Sequence, residues 1–413
     1  MPINYPENAL KLIDQKLKNK MSQIAIIGYG VVGQAVGKVL AAKVKNAKVI
    51  VFDSKQRQQG VGRVRIVGSI KEALGKADYI FLCVPSHLEG KGVDGKGWKR
   101  LASQVDKHAK ANAVVVIKST LVPGDAAKLE KLTGRRAVVC PEFMAEGTAE
   151  RDILKPHRVI VGGSDKAAVD SVIWLYRHWV PVSRIIRMDA WSAQLAKLLA
   201  NAMLAQRVAS INSAATLCSQ VGADVKGISE AVGLDPRIGP LYLKSSAGFG
   251  GSCLEKDLRL LCGMATYNEE PEVADYWRSV IEQNDARVDR VTQTISKLAG
   301  KGGKVAILGI AYRHGASTTR NAVSLRIAAG LGRMGHPVVG HDPIIRKAKG
   351  VEMARSIEEA IADASCIAVL NDEREYRKTR WLRLQVTAKP KAVVHIAATG
   401  ISITINHDKI TQR

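Results

Sequence analysis

Gln23-Ile24-Ala25-Ile26-Ile27-Gly28-Tyr29-Gly30-Val31-Val32-Gly33 is a short apolar run that ends in a G-x-G-x-x-G turn. A helical pattern follows at once. A strand, this turn and a helix in succession open a doubly wound α/β sheet. The first glycine makes the tight turn, the second lets a pyrophosphate approach the backbone, and the third lets helix pack on strand. A second strand-like run, Lys48 to Phe52, ends in Asp53, 20 residues after Gly33. A carboxylate at that place accepts from the adenosine ribose hydroxyls, so Gly28, Gly30, Gly33 and Asp53 point to NAD. The nearby Lys55 and Arg57 are the residues that would suit a ribose phosphate instead.

The alternation continues outward. Strand-like runs lie at Val64–Val67, Tyr79–Val84, Ala113–Ser119, Ala137–Cys140, Arg158–Gly163 and Arg184–Met188, with helical patterns between them. Polar clusters follow three of these runs, where an open parallel sheet places its ligands. They are Val84-Pro85-Ser86, Lys118-Ser119-Thr120 and Pro141 to Gly147 with Glu142 and Glu146. Two carboxylates four apart would also suit a solvated helix start. A proline-free helical pattern then runs from about Asp189 to Val221 and carries Lys197 and Asn201 on one face. Helices extend to about Ala299, and Gly300-Lys301-Gly302-Gly303 reads as a linker. A second strand-turn-helix-strand unit follows, over Lys304–Ile310, Arg320–Met334 and Pro337–Gly340. Its turn, Gly309 to Tyr312, lacks the full set of dinucleotide glycines. The expected fold class is α/β: two Rossmann-like domains with parallel sheets, joined by a long central helix. The expected boundaries are an extension at 1–21, an NAD-binding Rossmann-like domain at 22–188, a central helical region at 189–299, and a second Rossmann-like domain at 300–413.

Composition narrows the class. With 413 residues, 46% of them hydrophobic, the chain has ample material for packed cores. No apolar run reaches the roughly 18 residues of a membrane span, and Met1 to Lys20 has no apolar core of a signal segment. The six cysteines show no C-x-x-C spacing, which suits a reduced, cytoplasmic chain without a metal site. A net charge of +24 favours anionic ligands. The basic residues are interspersed and aromatics make up 5%, so no specific nucleic-acid partner is expected.

The chemistry concentrates at Gly248-Phe249-Gly250-Gly251-Ser252-Cys253-Leu254-Glu255-Lys256-Asp257. Glycines let a backbone run tightly and approach a ligand. A thiol beside a cation at a helix start is one whose anion can be stabilised, and the thiolate is the nucleophile. A buried, inert cysteine after a glycine loop is the plain alternative.

Taken together these stretches resemble the UDP-glucose/GDP-mannose dehydrogenase family, from about Ser22 to Pro343. The G-F-G-G-S-C-x-x-K-D motif at Gly248–Asp257 is the most specific match. Lys118-Ser119-Thr120, Pro141–Gly147, the helix with Lys197 and Asn201, and Asp235-Pro236-Arg237-Ile238-Gly239 support it. The resemblance implies a four-electron oxidation of a sugar-nucleotide C6 alcohol to a carboxylate with two NAD, UDP-glucose being the expected substrate. GDP-mannose or another sugar nucleotide is the alternative, and a non-catalytic, dehydrogenase-derived binding protein the alternative of another class.

Roles follow by resemblance. Cys253 is the nucleophile, Lys197, Asp257 and Asn201 handle protons and the oxyanion, and Glu142 and Thr120 assist. NAD would touch Val31, Val32, Val84, Pro85, Ser119, Thr120, Glu146 and Arg320 as well as the turn. Tyr242, Leu243, Lys244, Phe249 and Gly250 would line the sugar nucleotide, with Glu142, Lys197, Asn201 and Cys253. Tyr312 and Arg313 would hold it from the second domain. Arg237 would reach it across a subunit interface, implying a homo-oligomer. The resemblance makes 189–299 the dimerisation and catalytic region and 300–413 the sugar-nucleotide-binding domain. The chain departs from the family pattern at Pro85 to His87, at Glu255, through Tyr312 to Ala322, at Asn371 to Glu373, and around His395 to Gly400.

Overall fold

The computed structural model describes residues 22–55, 62–85, 95–144, 147–378, 392–395 and 402–405. They form two compact units, one up to Leu198 and one from Leu199 onward.

The first unit is built on an eight-stranded sheet of order β3-β2-β1-β4-β5-β6-β7-β8. Its strands are β1 (Ser22–Ile27), β2 (Ala47–Phe52), β3 (Val64–Ile66), β4 (Tyr79–Leu82), β5 (Val114–Ile117), β6 (Arg136–Val139), β7 (Val159–Gly162) and β8 (Ile185–Met188). The central strands are apolar throughout because both faces are covered. Ile24 and Ile26 point into a core with α1 (Val31–Lys43), α5 (Ala149–Leu154) and α6 (Lys166–Arg177). Ala25 and Ile27 point the other way, towards α2 (Ile70–Leu74), α3 (Lys96–His108) and α4 (Asp125–Thr133). All neighbours pair parallel except β6 and β7, which are antiparallel. Alternating burial looks the same for either strand direction, so the sequence pattern did not carry this reversal.

Helix α7 (Ala190–Val221) has no interior glycine or proline, and Gly222 follows it with φ +72°. The second unit continues with α8 (Val225–Gly233), α9 (Leu254–Tyr267) and α10 (Pro271–Ala299). Pro271 opens α10, and Gly300, at φ +73°, closes it. The sheet of this unit has the order β11-β10-β9-β12-β13-β14. It contains β9 (Val305–Leu308), β10 (Val338–His341), β11 (Glu352–Met353), β12 (Cys366–Val369), β13 (Ala392–His395) and β14 (Ser402–Ile405). The last pair is antiparallel and the rest parallel. Val288, Val291, Ile295 and Ala299 of α10 share one core with β9 and with Ile327 and Leu331 of α11 (Val323–Arg333). The short helices α12 (Ile357–Ile361) and α13 (Arg374–Lys378) complete the unit. Among the described residues no helix is long and apolar enough to cross a membrane.

Candidate active site

In the first unit the glycine turn has the form a dinucleotide needs. Gly28 adopts φ +95°, and a Cβ there would lie 2.8 Å from the Cys83 carbonyl oxygen. A Cβ on Gly33 would lie 1.9 Å from the Gly28 oxygen, so the third glycine is what lets α1 close on β1. A Cβ on Gly30 would meet nothing within 4 Å, leaving open space over the turn. Gly30 is the N-cap of α1, with no side-chain cap and no acid in the first turn, so the helix terminus is available to an anion. Val31 is exposed and Val32 half-buried. Asp53 Oδ2 accepts from Tyr29 N at 2.6 Å and Oδ1 from Lys55 N at 2.8 Å. These residues fit NAD, which when bound supplies the hydride acceptor.

The ends of β4, β5 and β6 bring the expected polar groups to one edge of this sheet. Ser119 Oγ donates to the Val84 oxygen at 2.6 Å, fixing the chain that leads to the exposed Pro85. Thr120 is half-buried beside it. Lys118 is buried, with its Nζ 3.3 Å from both the Pro141 oxygen and the Tyr176 hydroxyl and 3.7 Å from Cys140 Sγ. Burial pushes the neighbouring Cys83 thiol up to about 12, against the pull of the Lys118 ammonium. Residues 141–144 form no helix, so Glu142 is not part of a solvated helix start. Its Oε2 accepts from Met144 N, and its Oε1 lies 3.3 Å from Nζ of Lys197. Lys197 is itself buried, and its ammonium sits 5.2 Å from the centre of the Phe143 ring. Glu146 lies outside the described residues.

The cysteine turn belongs to the second unit. Each of its glycines is there because something else occupies the Cβ position. At Gly248, φ is +139° and a Cβ would meet Asn284 Oδ1 at 2.8 Å. At Gly251, φ is +85° and a Cβ would meet the Tyr312 ring at 2.7 Å. Between them Phe249 is held at both ends of its own residue: its N–H donates to Asn284 Oδ1 at 2.7 Å, and its carbonyl accepts from Nδ2 of the same amide at 3.1 Å. Cys253 is the exposed N-cap of α9, with Sγ 3.6 Å from Ser252 Oγ. Four residues on, Asp257 is fully buried. Asn201 Nδ2 donates to its Oδ2 at 2.6 Å, and the Lys256 ammonium lies 2.6 Å from its Oδ1. The thiol therefore stands in solvent at one end of a turn of helix, and a paired carboxylate stands in the core at the other.

Three further expected groups line this unit. Tyr242 is exposed with φ +63°, Leu243 is buried, and Lys244 is exposed. The guanidinium of Arg207 holds the segment before them by donating to the carbonyls of Ile238, Gly239 and Leu241. Arg237 is exposed and is gripped by Asp235, with Nη2 2.6 Å from Oδ2. The carboxylate raises the arginine, and the arginine lowers the carboxylate. The loop 309–322 carries Tyr312, Arg313 and the exposed Arg320. Arg313 Nε is buried without a hydrogen-bond partner among the described residues. Glu373 fastens this loop, accepting from Gly315 N at 2.9 Å and meeting His314 Nδ1 at 2.7 Å. The departure at Asn371 to Glu373 thus has a structural use.

Comparison with known proteins places the chain. The UDP-glucose/GDP-mannose dehydrogenase family matches it through its NAD binding domain at 55–180, its central domain at 191–286 and its UDP binding domain at 306–399. UDP-glucose 6-dehydrogenase 5 of Oryza sativa subsp. japonica is 36% identical over 355 residues, 75% of this chain and 74% of its own. The chain belongs to the UDP-glucose/GDP-mannose dehydrogenase family. UDP-glucose 6-dehydrogenase 1 of Arabidopsis thaliana is 35% identical over 74% of this chain and 73% of its own. The fold is shared with a UDP-glucose dehydrogenase from Pyrobaculum islandicum, at TM-score 0.82 and 22% identity, covering 94% of this chain and 96% of that one. It is shared too with a UDP-D-ManNAc dehydrogenase from Pyrococcus horikoshii, at TM-score 0.79 and 22% identity, covering 90% and 94%. Residues 9–96, which include the glycine turn, also match the NAD binding domain of D-isomer specific 2-hydroxyacid dehydrogenases. As a member of the family the chain is an NAD-dependent sugar-nucleotide 6-dehydrogenase.

Sequence reading did not single out the amides that shape the family's cysteine turn here, Asn284 and Asn321, nor Arg207. Asn284 follows the cysteine by 31 residues inside a long helix, and no local spacing marks it. Asn321 does carry a signal, since asparagine tolerates the left-handed backbone that it adopts at φ +51°.

Proposed function

We propose that the substrate is UDP-glucose, oxidised at C6 to UDP-glucuronate through a covalent adduct on Cys253. The observation that carries this reading is the exposed thiol at the start of α9, on a turn whose glycines let Asn284, Asn321 and Tyr312 close on its backbone, with Asp257 paired to Asn201 in the core behind it. Two NAD per sugar supply the hydride acceptors. The C6 alcohol loses a proton and a hydride to become the aldehyde. The Cys253 thiol adds to that carbonyl, forming the S–C bond and passing its proton to the oxygen, which gives a thiohemiacetal. Loss of the hydroxyl proton and a second hydride leaves a thioester. Water cleaves the S–C bond, releasing the carboxylate and the thiol. Lys197 stabilises the alkoxide and the tetrahedral oxyanion, with Asn201 assisting. Asp257 and Glu142 exchange protons with water and substrate, and Thr120 orders the water. Arg313, Tyr312, Phe249, Gly250 and Tyr242 to Lys244 hold the sugar nucleotide.

The active form is a homo-oligomer to which a partner's copy of Arg237 brings its guanidinium. Large apolar side chains exposed in the second unit support this: Met203, Leu217 and Val221 on α7, and Leu234 and Leu241 in the chain after α8. Six free cysteines agree with a cytoplasmic setting.

The test is NADH formed per UDP-glucose consumed. Two per sugar, with UDP-glucuronate as product, is the expected result; turnover of GDP-mannose and none of UDP-glucose would replace the substrate. Cys253→Ser should lower kcat by on the order of 10⁴-fold or more, the scale of losing a member of a covalent catalytic set, and leave aldehyde behind. An unchanged NADH yield from that variant would remove the covalent step.

A further inference from the structure

Two segments of the second unit that are far apart in sequence meet at one side chain. Asn321 closes the loop 309–322, directly after Arg320. Its backbone oxygen accepts from Gly251 N at 3.1 Å, and its Nδ2 lies 3.4 Å from the Gly251 oxygen. The same Nδ2 donates to Glu255 Oε2 at 2.7 Å, inside the first turn of α9. Glu255 is oriented in turn by Arg259, whose Nε and Nη2 donate to Oε1 at 2.9 and 2.6 Å. Burial pushes the Glu255 carboxyl up, but the bonds from Asn321 and Arg259 more than offset this and hold it below its ordinary range. Gly250 and Gly251 complete the fit: a Cβ on the first would lie 2.4 Å from the Asn321 oxygen, and on the second 2.7 Å from the Tyr312 ring of the same loop. Cys253 therefore sits between two residues, Gly251 and Glu255, that are both bonded to Asn321.

We propose that Asn321 is a positioning residue that couples the loop carrying Arg313 and Arg320 to the turn carrying Cys253, so that a nucleoside diphosphate on the loop sets the reactivity of the thiol. This deepens the reading above and rests on it for the assignment of the loop to the diphosphate. Arg313 is suited to the part, because its buried Nε lacks a partner among the described residues. A shift of the loop reaches Cys253 through a rigid path: Asn321 is at φ +51°, and Gly251 and Glu255, on either side of the serine–cysteine pair, are both tied to it.

The experiment uses the full chain and two readouts. Iodoacetamide labelling of Cys253 is followed by peptide mass spectrometry with and without UDP, and UDP affinity is measured by calorimetry. In the unaltered protein, UDP should change the labelling rate several-fold. Asn321→Asp puts a carboxylate against Glu255. It should abolish that response and lower kcat about tenfold or more, within the 10²-fold cost of a misplaced reacting group, while UDP affinity stays within about twofold. Adding Glu255→Gln rebuilds the bond in the opposite sense, with the Gln amide donating to the Asp, and should restore both readouts. A merely structural asparagine would not give this rescue. UDP binding that leaves Cys253 labelling unchanged in the unaltered protein would overturn the coupling alone. An Asn321→Asp protein that keeps its kcat and its UDP response would do the same. Absence of UDP binding would overturn the nucleotide reading and the coupling together.

Discussion

Gly28 and Gly309 hold the same place in two sheets that share the order of their first six strands. Each follows the first strand of its sheet, at φ +95° and +97°, and each donates its N–H across to the second strand, to Phe52 and His341 at 2.9 Å. Each faces an acid that ends the second strand, Asp53 or Asp342. From there the two part. After Gly28 the helix begins three residues on, at Val31; after Gly309 it begins at Val323, beyond a long loop with two arginines. The acids divide in the same way. Asp53 is half-buried and accepts two backbone bonds among the described residues, so its oxygens retain capacity for ribose hydroxyls. Asp342 is buried and accepts four, from Ile310, Ala311, Ile344 and Ile345, each at 2.9 Å. One frame thus offers backbone and a helix terminus to its ligand, while the other offers side chains on a loop and spends its acid on its own turn. A shared strand order fixes where a ligand lies and leaves open which groups hold it.

The sharpest way to break this contrast is to treat the two acids alike. Asp342→Asn should destabilise the protein by roughly 2–6 kcal/mol, since two buried N–H groups lose their acceptors at about 1–3 kcal/mol each. Asp53→Asn should leave the melting temperature nearly unchanged and raise the KM for NAD about tenfold, the scale of one hydrogen bond to a charged group. If Asp342→Asn melts like the unaltered protein, its four bonds are not structural. The glycines come next. Gly33→Ala should cost about 1–3 kcal/mol of stability, as overpacking does, whereas Gly30→Ala should fold normally and bind NAD more weakly. Equal melting temperatures for the two would contradict the close packing at Gly33. The smallest effect is on the loop. Arg313→Ala should raise the KM for the sugar nucleotide about tenfold with little change in kcat, as loss of uniform binding does; an unchanged KM would free the loop of that task.

Much of this was legible before any coordinates. The strands of the first sheet, and β9 and β10 of the second, lie within a residue or two of the apolar runs, because a strand covered on both faces must be apolar at every position; β11 to β14 were not singled out. The turn at Gly28 was legible because its chemistry is local: three glycines and one acid at fixed spacing. Lys197 and Asn201 were readable as neighbours on a helix. What each one faces, Glu142 for the first and Asp257 for the second, was not, since those carboxylates lie 55 and 56 residues away in the chain. The distant partners of Asn284, Asn321 and Glu373 were illegible for the same reason: an amide or carboxylate that serves a distant backbone leaves no periodicity. The reversal of β7 was hidden by the symmetry of the strand pattern itself.

The hold that Asn284 keeps on Phe249 has a consequence for the entropy of binding. Glycine-rich chain loses more conformational freedom on ordering than any other kind. If the turn from Gly248 to Gly251 were ordered by its ligand, that loss would be charged against affinity at every turnover. An amide that both donates to and accepts from one residue acts as a strand partner a single residue long, and it moves the loss to the folding of the chain. The turn then meets its ligand already in shape, and glycine serves here to make room while Asn284 takes away the freedom that comes with it.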